Sequence, residues 1–311
     1  MSALWMAGPV CVLLAAQPVP VVLDTDLGSD IDDTWALCML LGCPQVDVKL
    51  VVTAFDDTDA KTRLVAKLLD RLGRTDIPLG KGIKTSDREL NQAGWLGDYS
   101  LDDYPGALHE DGIQAMVDTI NATKPPVQLV VIGPQTNIPA ALKRDPSIAE
   151  KARLVSMAGS VYKGYNGQDG RSAEWNVRAD VAAARAVFDA SWEIVMAPLD
   201  SCGILRLTGE RFARVAASSN PLAKAVMENY VAWVHRKRYP EGESSVLFDT
   251  VAAYLAFDEK HFTMETIRLS IDDDGNTVPD ENGRPVRCAM DWADRGAFEE
   301  LLVECLTREG G

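Results

Sequence analysis

Residues 24 to 33 read Asp-Thr-Asp-Leu-Gly-Ser-Asp-Ile-Asp-Asp, so five carboxylates fall within ten positions. An apolar run, Pro20–Leu23, precedes them, and another, Thr34–Leu41, follows. No Lys or Arg occurs before Lys49. Crowded carboxylates repel and raise one another's pKa. Turns and a helix N-terminus explain one or two of the five, because Asp caps helices and suits the dipole there. The remainder needs a positive partner, and a bound cation supplies one. All the candidate ligands are oxygens, which selects Ca²⁺ or Mg²⁺ over Zn²⁺. Crowded carboxylates with backbone carbonyls favour Ca²⁺ over Mg²⁺. An EF-hand does not fit, since a strand precedes the loop and no Glu stands at its twelfth position.

Strand and helix patterns alternate beyond this loop. Apolar strands are expected at Pro20–Leu23, Val48–Ala54, Ile77–Gly82, Val127–Ile132, Arg153–Ala158 and Glu193–Ala197. Helices are expected at Thr34–Leu41, Asp59–Leu72, Asp111–Ala122, Thr136–Leu142, Asp180–Phe188, Gly209–Val234, Ser245–Leu255 and Ala297–Leu306. Ser86–Pro105 has no period and reads as a loop. Glu265–Ile271, Thr277–Val278 and Val286–Ala289 read as strands between polar turns. The pattern predicts an α/β fold, a mostly parallel open sheet flanked by helices, Rossmann-like, with a small β-hairpin-like addition near the C-terminus. In such sheets ligands sit at the carboxyl ends of the strands. Residues 17–311 read as a single domain.

The chain carries 31 Lys plus Arg against 46 Asp plus Glu, a net −15. That argues against nucleic acid or an anionic membrane as the main partner, since both need basic patches. Met1–Leu23 has no charged side chain, and Val10–Ala16 is apolar. Residues 1–16 therefore read as a signal peptide or a loose tail, with export to a periplasmic or extracellular space favoured over the cytoplasm. The missing basic n-region weakens that reading. Pro18 and Pro20 argue against a stable membrane span. The six cysteines form no CxxC pair. Cys11 would leave with a signal peptide, and the other five read mainly as buried free thiols.

Five separated motifs resemble, in order, those of the inosine/uridine-preferring nucleoside hydrolases. The first is the acidic loop, which resembles that family's DxDPGxDD with two inserted residues. The second is Thr53-Ala-Phe-Asp56-Asp57, where the family has Gly-Asn after a strand. The third is Ile132-Gly-Pro-Gln-Thr-Asn137, the fourth Ala173-Glu174-Trp175-Asn176, and the fifth Phe248-Asp249-Thr-Val-Ala. The resemblance runs from about Val21 to the C-terminal helix. It implies metal ligation by Asp26, Asp33, the Ile132 carbonyl and Asp249, with the insertion leaving Asp30 as an alternative helix-start ligand. Asp26 would also be the general base toward a water held by the metal. Asp32, Asp57, Gln168, Glu174 and Asn176 would contact the sugar, Gln168 standing where the family has Asn. The implied reaction is hydrolysis of an N-glycosidic bond in a ribonucleoside or related N-riboside, and family members are often dimers or tetramers.

One position departs from that pattern. Many members carry a His before the motif-five Asp to protonate the leaving base, and this chain has Phe248. His235, Arg238 and Tyr239 lie shortly upstream and are candidates for leaving-group contact, alongside Phe248 itself. A solvated basic helix end is the plainer account of that cluster. Pyrimidine substrates, or others with good leaving groups, would need an acid less. Trp95, Tyr99, Tyr104, Tyr162, Tyr165 and Trp175 occupy loop-like stretches, where they either stack on a base or simply pack. Two rival readings remain. Asp24-x-Asp26 after a strand also resembles haloacid-dehalogenase-like phosphatases, with Asp24 as nucleophile and Mg²⁺ as metal. A metal-bearing nucleoside-binding protein without turnover is the other.

Overall fold

The computed structural model describes residues 17–308, so the expected signal peptide at 1–16 lies outside the described residues. Ten strands form one sheet: β1 (Val19–Thr25), β2 (Val46–Thr53), β3 (Leu79–Gly80), β4 (Leu108–His109), β5 (Val127–Val131), β6 (Ala152–Met157), β7 (Ile194–Ala197), β8 (Phe262–Ile271), β9 (Thr277–Pro279) and β10 (Arg284–Trp292). Their order is β4-β3-β2-β1-β5-β6-β7-β10-β8-β9. All pairings from β4 across to β10 are parallel, and only β10–β8 and β8–β9 are antiparallel. The expected mostly parallel sheet is therefore what forms. The C-terminal strands are a continuation of that sheet, because β10 docks beside β7 at Arg287 and Cys288.

Alternation along the strands builds a core on each face. Val21 and Leu23 of β1 join Val130 and Val155 in one core, under the helix Asp32–Gly42 (α1) and the C-terminal helices. Val22 faces the other, with Leu129, Val131 and Leu154. The chain lays β2, β3 and β4 on one side of β1, then crosses to lay β5, β6 and β7 on the other. The order reverses between β1 and β5, and the crevice beyond their carboxyl ends is the place such a sheet offers a ligand.

Three expectations are corrected. The single helical stretch Gly209–Val234 is two helices, Gly209–Ala217 and Pro221–Ala232. Asn220 caps the second by accepting from Leu222 N, and Pro221 occupies its first turn, where a missing N–H costs nothing. The helix expected from Ser245 starts at Phe248 and runs to Leu255. The third concerns cysteine. Cys43 and Cys305 form a disulfide, with Cα atoms 5.2 Å apart and 262 residues between them in sequence. It joins the residue after α1 to the last helix, Arg295–Thr307. Cys38, Cys202 and Cys288 are the buried free thiols. No helix among the described residues is long and apolar enough to cross a membrane.

Candidate active site

The acidic loop leaves β1 at its carboxyl end. Gly28 turns it at φ +114°, a conformation that favours glycine. Thr25 Oγ1 accepts from Leu27 N at 3.1 Å and donates to Asp33 Oδ1. Asp32 and Asp33 then open α1, so the helix start aims both carboxylates back over β1. Asp249 reaches them from the first turn of Phe248–Leu255, its N–H donating to Asp32 Oδ2 at 3.3 Å. One carboxylate oxygen from each of Asp32, Asp33 and Asp249 falls within 4.8 Å of the others. All three are at most 3% exposed.

Burial pushes each of the three acids well above the usual carboxylate range, and neighbouring carboxylates push them further. Asp24 rises to about 7 for the same first reason. Its Oδ2 accepts from Asn137 Nδ2 at 2.7 Å, while its Oδ1 has no partner. Asn137 also bonds Thr53 O at 3.0 Å and accepts from Ile83 N, so the Gly-Pro-x-Thr-Asn motif ties together the ends of β1 and β2. Fixed in this way and fully buried, Asp24 is not placed to attack a substrate. That removes the phosphatase reading.

The neighbouring ends of β5 and β6 supply the rest. Ile132 follows β5 and donates its N–H to Asp24 O at 2.9 Å. Its carbonyl accepts from Asn176 Nδ2 at 3.1 Å. A side chain at Gly133 would place its first carbon 2.9 Å from Asp26 Cβ, so only glycine lets the two loops close up. Glu174 accepts from Asn176 N at 2.8 Å and from Gly159 N at 3.0 Å. Its burial raises the carboxyl to about 7. Asp26, Asp30, Asp32, Asp33, Ile132, Glu174, Asn176 and Asp249 all line one cavity of about 310 Å³, with Arg88, Asn91, Tyr165, Trp175, His235, Arg238 and Phe248 among the residues completing its wall. A wider groove of about 1040 Å³ beside the disulfide is lined by no carboxylate, so chemistry rather than size locates the site.

Three residues named from the sequence lie outside this lining. Asp57 caps the helix Thr58–Arg71 (α2), accepting from Asp59 N and Ala60 N, and pairs with Lys84 at 3.1 Å. Gln168 is exposed on a separate loop. Tyr239 stacks on Trp233 with ring centroids 5.7 Å apart. Asp30 is exposed at the cavity lip, and Asp32 sits among the clustered carboxylates. Of the loop aromatics, Tyr165 and Trp175 reach the cavity, whereas Trp95 and Tyr104 are buried in the core.

One participant was missed. Lys61, on α2, is fully buried, its Nζ 3.1 Å from Ala54 O and 3.6 Å from Asp26 Oδ2. The signal was present in the sequence: Lys61 falls in helical register with Leu64, Val65 and Leu68, on the stripe that α2 buries. The strand end it braces is unusual, since Phe55 and Asp56 both have positive φ (58° and 49°) without being glycine. One lysine does not balance the carboxylates around it. The surplus of buried oxygens fits a hard divalent cation, and the cluster of Asp32, Asp33 and Asp249 found among the described residues offers oxygen ligands alone.

The chain belongs to the inosine-uridine preferring nucleoside hydrolases, whose family profile matches residues 21–300. A pyrimidine-specific ribonucleoside hydrolase, RihA, of Citrobacter koseri is 30% identical over 311 residues, covering 93% of this chain and 98% of the relative. RihA of Escherichia coli O139:H28 is 35% identical over 222 residues, 68% of this chain and 70% of the relative. Among solved structures, a plant nucleoside hydrolase, PpNRh1, superposes with a TM-score of 0.80 at 23% identity, covering 94% of this chain and 99% of that one. A purine-preferring ribonucleoside hydrolase from Gardnerella vaginalis gives 0.77 at 22%, covering 92% and 98%. The protein is thus an N-glycosyl hydrolase of ribonucleosides, in a metal-dependent family, and its acidic cluster is able to hold a metal.

Proposed function

We propose that this protein is a Ca²⁺-dependent hydrolase of pyrimidine ribonucleosides that releases ribose and the free base. The observation that carries the reading is the convergence of Asp32, Asp33 and Asp249 at the floor of a cavity walled by Glu174 and Asn176. Asp26, Asp33, Asp249 and the Ile132 carbonyl would hold the cation, with Asp32 beside them. A divalent cation held there would lower the pKa of water.

The chain's own groups do the rest. Asp26 takes the proton of the attacking water, and Lys61 holds that carboxylate in place. Glu174 and Asn176 grip ribose hydroxyls, so the sugar carbon that loses the base is presented to the water. The sugar becomes cationic as the bond breaks, and a cavity floor dense in carboxylates stabilises that charge. Tyr165 and Phe248, in edge contact with centroids 6.0 Å apart, give the base an apolar shelf. Phe248 has no proton to give a purine nitrogen as a histidine would, which supports a pyrimidine leaving group, as does the pyrimidine specificity of the RihA relatives. The Cys43–Cys305 disulfide supports an exported protein, since such bonds persist in oxidising compartments.

The test is product analysis on uridine, cytidine, inosine and adenosine, with Ca²⁺ and after chelation. Base release from pyrimidine nucleosides that stops with chelator is expected. Nucleoside binding without release of any base would leave a binding protein instead.

A further inference from the structure

The cavity has an acidic floor and a lip where Asp30 stands with basic residues. In a chain of net charge −15, three of its wall residues are Arg88, His235 and Arg238. They come from two segments that the acidic loop fastens together. Asn91 N donates to Gly28 O at 2.9 Å and Val234 N donates to Asn91 O at 3.0 Å. Arg88 is tethered to Asp56, 3.8 Å away. Among the described residues, Arg238 and His235 have no side-chain hydrogen bond or ion pair. Burial, then Arg238 and Arg88, hold His235 below its usual range. Phe248, next to Asp249, lines the same cavity and has no proton to give.

We propose that Arg238, flanked by Arg88, is a catalytic residue that carries the negative charge of the departing base, in place of an acid that would protonate it. The inference rests on the nucleoside hydrolase reading and says how its leaving group departs. The bond from water oxygen to the anomeric carbon forms as the bond from that carbon to the base nitrogen breaks. The electron pair of the broken bond goes to the nitrogen and spreads over the ring carbonyls, and the proton of the water goes to Asp26. A guanidinium does not give up its proton near neutral pH, but its planar donors pair with a delocalised oxyanion. The anion takes its proton from solvent after release. The substrate class is ribosides whose base leaves as a stabilised anion, foremost 2,4-dioxopyrimidines, whose two carbonyl oxygens share the charge. Cytidine, with one carbonyl, is the poorer substrate.

The test compares uridine with 4-nitrophenyl riboside, whose leaving phenolate is already a stable anion. Arg238→Met lowers kcat on uridine about 100-fold, the scale of losing one oxyanion donor, and slows the nitrophenyl substrate by less than about fivefold. Arg238→Lys, which keeps the charge but not the fork, falls between wild type and Arg238→Met on uridine. Calcium affinity by calorimetry stays at the wild-type value in both variants. Equal slowing of both substrates by Arg238→Met, or turnover of uridine within about threefold of wild type, overturns the proposal. So does a larger loss on uridine from His235→Gln than from Arg238→Met, because His235 is then the proton donor. If the wild-type protein hydrolyses neither substrate, the nucleoside hydrolase reading fails with it, whereas wild-type turnover with unaffected arginine variants sinks this inference alone.

Discussion

Lys61 offers the sharpest quantitative test of how the acidic cluster is held. Its ammonium lies 3.6 Å from Asp26 Oδ2 with no exposure to water. At an effective dielectric of about 20 that separation corresponds to roughly 5 kcal/mol of attraction. Part of this offsets the cost of burying the ammonium, and breaking a buried pair by removing one partner typically costs about 3–5 kcal/mol. Lys61→Met keeps most of the side-chain volume and removes the charge. We expect the metal-free variant to lose about 3 kcal/mol, because the cluster moderates the loss by taking up a further proton. With saturating Ca²⁺ a second positive charge is present, and the loss should shrink to about 1 kcal/mol. The difference of about 2 kcal/mol must then appear as Ca²⁺ binding roughly 30-fold tighter in the variant, since the two sides of the cycle are linked. Urea denaturation with chelator and with Ca²⁺ gives the first pair of numbers, and calorimetric titration gives the last. An identical loss with and without Ca²⁺, or weaker Ca²⁺ binding in the variant, refutes the view that Lys61 and the cation serve the same carboxylates.

Three further outcomes follow from the geometry. Glu174 is held at about 7, above its ordinary 4.5. The stability this proton contributes is therefore complete below about pH 4 and lost as pH rises through 7, so the metal-free protein should be more stable at pH 5 than at pH 8. In Glu174→Gln that dependence should flatten by up to about 3 kcal/mol, read from thermal melts in chelator across that range. Gly133→Ala would push a methyl against Asp26, 2.9 Å from its Cβ, and should cut kcat by about 100-fold with little change in melting temperature, because the displacement is local. Unchanged kcat would mean that the two loops separate freely. Cys305→Ser should cost about 2–4 kcal/mol of stability. Its melting point should then be the same with and without reductant, while that of the wild type should fall on reduction.

How far the sequence could be read varies from residue to residue. The acidic loop announced itself because five carboxylates without a neighbouring base make no sense in a core unless something answers them. Glu174, Asn176 and Asp249 were found by their order in a series, since each alone is an ordinary polar residue. Lys61 was overlooked because its partner, Asp26, is 35 positions away in the sequence, and a lysine within an amphipathic helix is usually solvated. The motif resemblance alone implies a sugar contact for Asp57. In this chain the Phe55-Asp56 corner turns Asp57 onto its own helix start and leaves the buried Asp56 to hold the loop that bears Arg88. The break at Asn220-Pro221 was legible as a cap followed by a first-turn proline, and periodicity alone had obscured it. The disulfide was not legible, because it depends on α1 and the last helix lying side by side.

That disulfide has a topological consequence. By joining Cys43 to Cys305 it closes a covalent ring that holds every strand from β2 to β10. A single cut in any loop between those two cysteines opens the ring and releases nothing. The two arms stay tethered at the far end of α1, the helix whose first turn presents Asp32 and Asp33. In surroundings rich in peptidases, a nick in the exposed stretch around Glu241 would leave both halves of the cavity on one covalent frame.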